Sequence, residues 1–100
     1  LELYDVDMEK FSCIALAFDA IKKGGSNPVV LNVANDLAVE LFLNKKIKFN
    51  QIPELIKDAM TNHKHIDMPS LSDILSITKS TENYINSRFK SWFIFYHFLL

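Results

Sequence analysis

The sequence predicts an all-helical domain, an up-and-down bundle of four main helices plus one short helix. Apolar residues recur at three- and four-residue spacing in separate stretches along the chain. No stretch alternates apolar and polar residues between Asn-Gly or Asp-Gly turns, so no strand is expected. The connections between the periodic stretches are short, roughly two to eight residues, which favours antiparallel neighbours.

The first helix is predicted from Phe11, Ile14, Phe18 and Ile21, whose spacing puts all four on one stripe, with Ala15 and Ala17 leaving room for close packing. Asp7 is its candidate N-cap, Lys22 and Lys23 suit its negative end, and Gly24 supplies the left-handed residue that stops it. Ser26 or Asn27 then caps a second helix with Pro28 in its first turn, where a missing N–H costs nothing. Val30, Leu31, Val33, Ala34, Leu37, Ala38, Leu41 and Phe42 wrap most of that helix, and Asn32, Asn35, Asp36 and Glu40 form a narrow polar strip, so it belongs at the centre of the bundle.

Beyond the basic loop Asn44, Lys45, Lys46, Ile47 and Lys48, a third helix capped by Asn50 buries Ile52, Leu55, Ile56, Ala59 and Met60 and ends near Thr61 or Asn62. Ser70 followed three residues later by Asp73 resembles a capping box and opens a short helix through Leu71, Ile74 and Leu75. Ser80 is the candidate cap of the fourth long helix, whose inward face is Ile85, Phe89, Trp92, Tyr96 and Leu99. The expected organisation is a helical bundle over residues 1–91 and an apolar helical extension over 92–100.

Composition narrows the function. Eleven Lys plus Arg against twelve Asp plus Glu leave a net charge of −1, without the basic surplus that phosphate neutralisation requires, so nucleic acid is not an expected partner. One cysteine, Cys13, cannot form an internal disulfide and reads as a buried, inert thiol; a reducing cytoplasmic setting is expected. The chain opens at Leu1 with four acids among its first nine residues, which suggests a piece of something longer. From Trp92 to Leu100 only His97 is not apolar, too short a run to span a bilayer, so it either packs on protein or anchors a partner or a membrane surface.

Four groups of residues invite a chemical reading. His63, His65 and Asp67 are the donor types zinc or iron takes, but their period-two spacing converges only on a strand, and a solvated loop is expected. Lys22 to Asn27 precede a helix N-terminus, where anions dock, yet no strand precedes them and the glycines are explained by the turn. Asn32 and Asn35 are expected to bond to a neighbouring loop, to the segment entering the first helix, or to another domain. No Ser/His/Asp set and no acid pair stands out as catalytic, so no catalytic, cofactor-binding or metal-binding residue is expected in this chain.

The stretch Gly24-Gly25-Ser26-Asn27-Pro28-Val29-Val30-Leu31-Asn32-Val33-Ala34-Asn35-Asp36 resembles the Gly-Gly-x-x-Pro-x-x-Leu-Asn-Ala-Ala-Asn-Glu signature of the 1-deoxy-D-xylulose 5-phosphate reductoisomerase family. The similarity continues through Ala38-Val39, Phe42-Leu43, Ile47, Phe49 and Ile52, is preceded by Phe11-Ser12-Cys13 with Leu16-Ala17, and includes Ser70 to Ser76. About residues 1–90 resemble that family's C-terminal helical domain, with Val33 and Asp36 where the family commonly has Ala and Glu. The resemblance implies a homodimeric parent, cytoplasmic or in a plastid-type organelle, with an NADPH-binding domain, a central domain holding a divalent metal (Mg or Mn) and substrate, and this bundle last. It implies that the parent converts 1-deoxy-D-xylulose 5-phosphate to 2-C-methyl-D-erythritol 4-phosphate in non-mevalonate isoprenoid biosynthesis. This piece would then be its non-catalytic C-terminal domain, inactive alone, with no cofactor of its own and the upstream domains as partners. The alternative is a free-standing helical interaction module anchored to a partner or membrane through Trp92 to Leu100.

Overall fold

Four helices make up the fold: α1 (Met8–Lys23), α2 (Asn27–Leu43), α3 (Gln51–Asn62) and α4 (Leu71–Leu99). The computed structural model describes the backbone of residues 8–99 and the side chains of residues 14–92, and it contains no strand among them. The expected cap Asp7 and the side chains of Phe11, Cys13, Tyr96 and Leu99 lie outside the described residues.

Central placement of α2 follows from its composition. It packs against all three other helices, as does α3, and its contacts with α3 and α4 are the most extensive in the fold. Val30, Ala34 and Ala38 are fully buried at helical spacing, and Leu31, Leu37, Leu41 and Phe42 pack around them half-buried. Two alanines on the inner face let neighbouring helices approach closely. From α3 come Ile52, Leu55, Ile56 and Ala59, four of the five expected positions, with Met60 half-buried beside them. Ile77 and Ile85 of α4 and Ile47 of the α2–α3 loop complete the core, and Phe89 and Trp92 pack against it. Ile47 is a core residue in an otherwise basic loop.

Helix ends follow their local chemistry. Gly24, at φ 65°, stops α1 and donates its N–H to Ala20 O at 2.9 Å. At the end of α2, Lys45 N–H donates to Phe42 O and Lys46 N–H to Leu41 O, both at 2.9 Å, the bond pair of a Schellman stop. Lys45 holds the left-handed position of that motif at φ 60°, where a side chain is strained and glycine is not. Phe42 and Phe49 meet edge to face with centroids 5.6 Å apart and brace the same turn.

Two expectations are corrected. The short helix and the fourth helix are one continuous 29-residue helix, α4. Nothing between Leu75 and Ser80 breaks it, and Ser80, the expected cap, is accommodated inside with its Oγ–H donating to Ile77 O at 3.1 Å, as Thr78 Oγ1–H does to Ile74 O at 2.8 Å. The capping box is present as expected, with Ser70 N–H donating to Asp73 Oδ2 at 2.9 Å and Asp73 N–H to Ser70 Oγ at 3.1 Å. The stripe on α1 is the second correction. Ile14, Phe18 and Ile21 are exposed, and α1 instead turns Ala20, with half-buried Leu16 and Ala17, toward its neighbours. Periodicity shows that a helix has an apolar face, not which body that face meets.

Lys45→Gly should stabilise the chain by about 0.5–1 kcal/mol by relieving the left-handed strain, seen as a higher urea midpoint with an unchanged denaturant slope.

Candidate functional site

Polar residues of two distant segments meet at the head of α2. Ser26 is fully buried, and its neighbour Asn27 is nearly so. Ser26 N–H donates to Ile66 O at 2.9 Å, and Ile66 N–H donates back to Ser26 Oγ at 2.8 Å. His63 Nε2 lies 2.7 Å from the same hydroxyl oxygen. With one lone pair engaged by Ile66 and no third partner among the described residues, a donating hydroxyl points its hydrogen to Nε2, which makes Nε2 the acceptor and leaves the ring proton on Nδ1. The His65 ring is held at both nitrogens, Nδ1 2.8 Å from Asn27 Oδ1 and Nε2 2.7 Å from Asp67 Oδ1. The loop between α3 and α4 is thereby fastened to the start of α2.

Gly25 makes this closeness possible. Its φ is 57°, and a Cβ there would collide with the Ile66 carbonyl oxygen and stand 2.9 Å from both Asp67 O and His65 Cε1. Gly24 needs only the left-handed conformation, since a Cβ on it would meet nothing within 4 Å. Ser26 stands at the N-cap of α2 but makes no side-chain cap bond, because its hydroxyl serves the loop instead. The place before α2 where an anion would dock is occupied by the loop backbone, and the first N–H groups of α2 are taken: Asn27 N–H donates to Gly24 O, and those of Val29 and Val30 to Ser26 O.

The described residues singled out in the sequence each have a place. His63, His65 and Asp67 do come together with the Gly-Gly-Ser-Asn turn, but they are linked in hydrogen bonds to α2 and to each other rather than aimed at one point. Among the described residues no three His, Cys, Asp or Glu side chains are grouped as a metal ion needs. Asn32 and Asn35 are exposed on α2, and the segment entering α1, one of their expected partners, lies outside the described residues. The Ser26–His63 pairing was not foreseen, because 37 residues separate the partners. Its one local sign was a small polar residue placed after Gly-Gly and before Pro.

Beside the clasp, a recess of about 290 Å³ is lined by Ala59, Asn62, His63, Lys64, Ser80, Thr81 and Tyr84. Farther along, Arg88 Nε–H donates to Asp58 Oδ2 at 3.0 Å and its guanidinium lies 5.9 Å from the Trp92 ring centroid, tying α3 to α4 at the surface.

Burial, and after it the nearby His65, hold His63 below the ordinary histidine value of 6.5. A protonated His63 also cannot accept from Ser26.

The fold and site define an all-helical module whose two halves are locked by a buried serine and a histidine-bearing loop. The profile of the DXP reductoisomerase C-terminal domain matches residues 1–84, and the chain belongs to that family. Among curated relatives, it is 49% identical over 85 residues to the 1-deoxy-D-xylulose 5-phosphate reductoisomerase of Chloroherpeton thalassium, covering 85% of this chain and 22% of that protein. The Thermoanaerobacter pseudethanolicus protein of the same name is 45% identical over 83% of the chain and 22% of its own length, and that of Halalkalibacterium halodurans 44% over 90% and 24%. The chain thus spans about a quarter of the length of these relatives. No solved structure matches it.

Since the unfolded chain binds a proton at His63 more readily than the folded one, stability is complete above the ordinary histidine value and declines as pH falls from about 6.5 toward the lowered folded value. The urea midpoint should drop between about pH 7.5 and about pH 5.5, and less so in His63→Gln, whose amide oxygen still accepts from Ser26. If the variant loses as much as the parent, His63 is not the group responsible. Gly24→Ala should cost about 1–2 kcal/mol for the left-handed backbone alone. Gly25→Ala should cost at least about 2 kcal/mol more, because its methyl displaces the Ile66 loop; equal losses in denaturation would contradict the close approach.

Proposed function

We propose that this chain is the non-catalytic C-terminal helical domain of an NADPH- and divalent-metal-dependent reductoisomerase that converts 1-deoxy-D-xylulose 5-phosphate to 2-C-methyl-D-erythritol 4-phosphate in isoprenoid biosynthesis. The observation that carries this reading is the family match over residues 1–84 in a chain that corresponds to only a quarter of its relatives. We assign residues 1–91 to the bundle and 92–100 to an apolar extension, place the upstream domains of the same polypeptide as its partners in a homodimeric, cytoplasmic enzyme, and assign no catalytic residue to this chain.

The parent's two groups do not fit the described residues. The described acids and histidines are not gathered into a metal ligand set. The only glycine pair joins two helices and is closed over by the Ile66 loop, so its backbone cannot cradle a pyrophosphate. We route no step of the reaction through this chain. What its own residues do is keep a fixed shape: the Ser26 clasp and the α2 core hold four helices in one relation, and no described helix is long and apolar enough to cross a membrane.

NADPH and Mg²⁺ or Mn²⁺ should leave the melting temperature of the 100-residue chain unchanged, because a ligand raises stability only by binding the folded state. A ligand present at about 100 times its Kd adds about 2.7 kcal/mol, a shift of roughly 10 °C or more for a domain of this size. The longer protein that carries the chain should oxidise NADPH on addition of the xylulose phosphate. A thermal shift in the isolated chain overturns the non-catalytic assignment, and a longer protein without that activity overturns the parent.

A further inference from the structure

Over its described side chains, residues 14–23, helix α1 is inside out for a helix of a self-contained bundle. Ile14, Phe18 and Ile21, at positions i, i+4 and i+7 of one face, are 49%, 68% and 68% exposed, while its inward face offers the small side chain of Ala20 and half-buried Leu16 and Ala17. An amphipathic helix on a finished domain turns its large apolar residues inward and its small or polar ones out. The packing here is reversed, although the residues inside are small enough for α1 to lie close on α2 and α3. A row of three large apolar side chains at helical spacing marks a contact surface, where scattered single exposures would not.

We propose that this face of α1 is the seat of the polypeptide that precedes the domain in the longer protein. The inference rests on the reading given under Proposed function and adds the surface through which the domain is held. Two observations identify the occupant. The relatives devote roughly three quarters of their length to residues outside the match, and the matching family is a C-terminal domain, so in them the bulk of the chain comes before α1, the first helix in order. A covalently attached partner arrives at high effective concentration, so a contact built on three side chains suffices to hold it. The rim of the face also argues for an apolar partner: Asp19 and Lys23 are paired with each other at 3.3 Å, one turn apart, and present a self-neutralised edge beside the apolar row.

The test compares Phe18→Gln/Ile21→Gln in the 100-residue chain and in the longer protein, glutamine being chosen because it keeps helix propensity. In the isolated chain the melting temperature should shift by less than about 4 °C, as for any exposed site. In the longer protein, thermolysin should release the domain at least about tenfold faster than from the unsubstituted protein, as a contact opens. Three results overturn the proposal: a large loss of stability in the isolated chain, which means the row is covered from within; unchanged cleavage of the longer protein; or a concentration-dependent dimer of the isolated chain, by sedimentation, that the substitution abolishes, which makes a second copy the occupant. NADPH oxidation by the unsubstituted longer protein keeps the two readings apart. Its absence strikes the parent assignment, whereas its presence with unchanged cleavage strikes only the docking face.

Discussion

The hydroxyl of Ser26 is the junction on which the arrangement of this domain depends. A buried hydroxyl must both donate and accept or lose on the order of 1–3 kcal/mol, and Ser26 does both within the chain, toward His63 and from Ile66. Its backbone N–H adds a third bond to the same loop. These bonds close a segment of about forty residues, long enough that only a specific contact sets where the α3–α4 loop returns. Because α4 starts from that loop, the clasp also decides where the longest helix lies against α2 and α3. Gly25 is the steric condition for the clasp, and Gly24 ends α1 in time for it. Three consecutive positions thus stop one helix, start another and receive a distant loop.

Elements governed by neighbours in sequence were legible, and those governed by distant partners were not. The α3 face was readable because Ile52, Leu55, Ile56 and Ala59 fall at the spacing of one buried stripe, and the Ser70–Asp73 box because both its bonds lie within four residues. The break expected before Ser80 fails for a local reason of a different kind: serine and threonine can return their hydroxyls to the preceding turn, so they permit a start without requiring one. The Ser26 clasp depends on residues 37 to 40 positions away, and pattern reading along the chain sees His-x-His-x-Asp only as a polar loop. The same trio looked like metal ligands because imidazole and carboxylate suit both purposes; partner distances separate the two cases.

The neutral state of His63 links the clasp to its surroundings. Burial disfavours the imidazolium, and the acceptor role toward Ser26 requires the neutral ring, so desolvation and hydrogen bonding favour the same protonation state. Near the surface, the Arg88–Asp58 pair is half-exposed and screened, and it contributes little beside the buried clasp and the α2 core.

Helix geometry sorts the residues of α2 into two sets with different reasons for their types. Asn27, Val30, Ala34 and Ala38 point inward and are accounted for by the clasp and by close packing. Asn32, Asn35 and Asp36 are exposed on the opposite side of the helix. The row Ile14, Phe18 and Ile21 on α1 is exposed as well, so large apolar side chains and amides both lie on the outer surface of the described residues. The polar groups that would be expensive to leave unpaired are committed within the domain, and its apolar excess is turned outward, the reverse of what a free-standing bundle of this size would need for solubility.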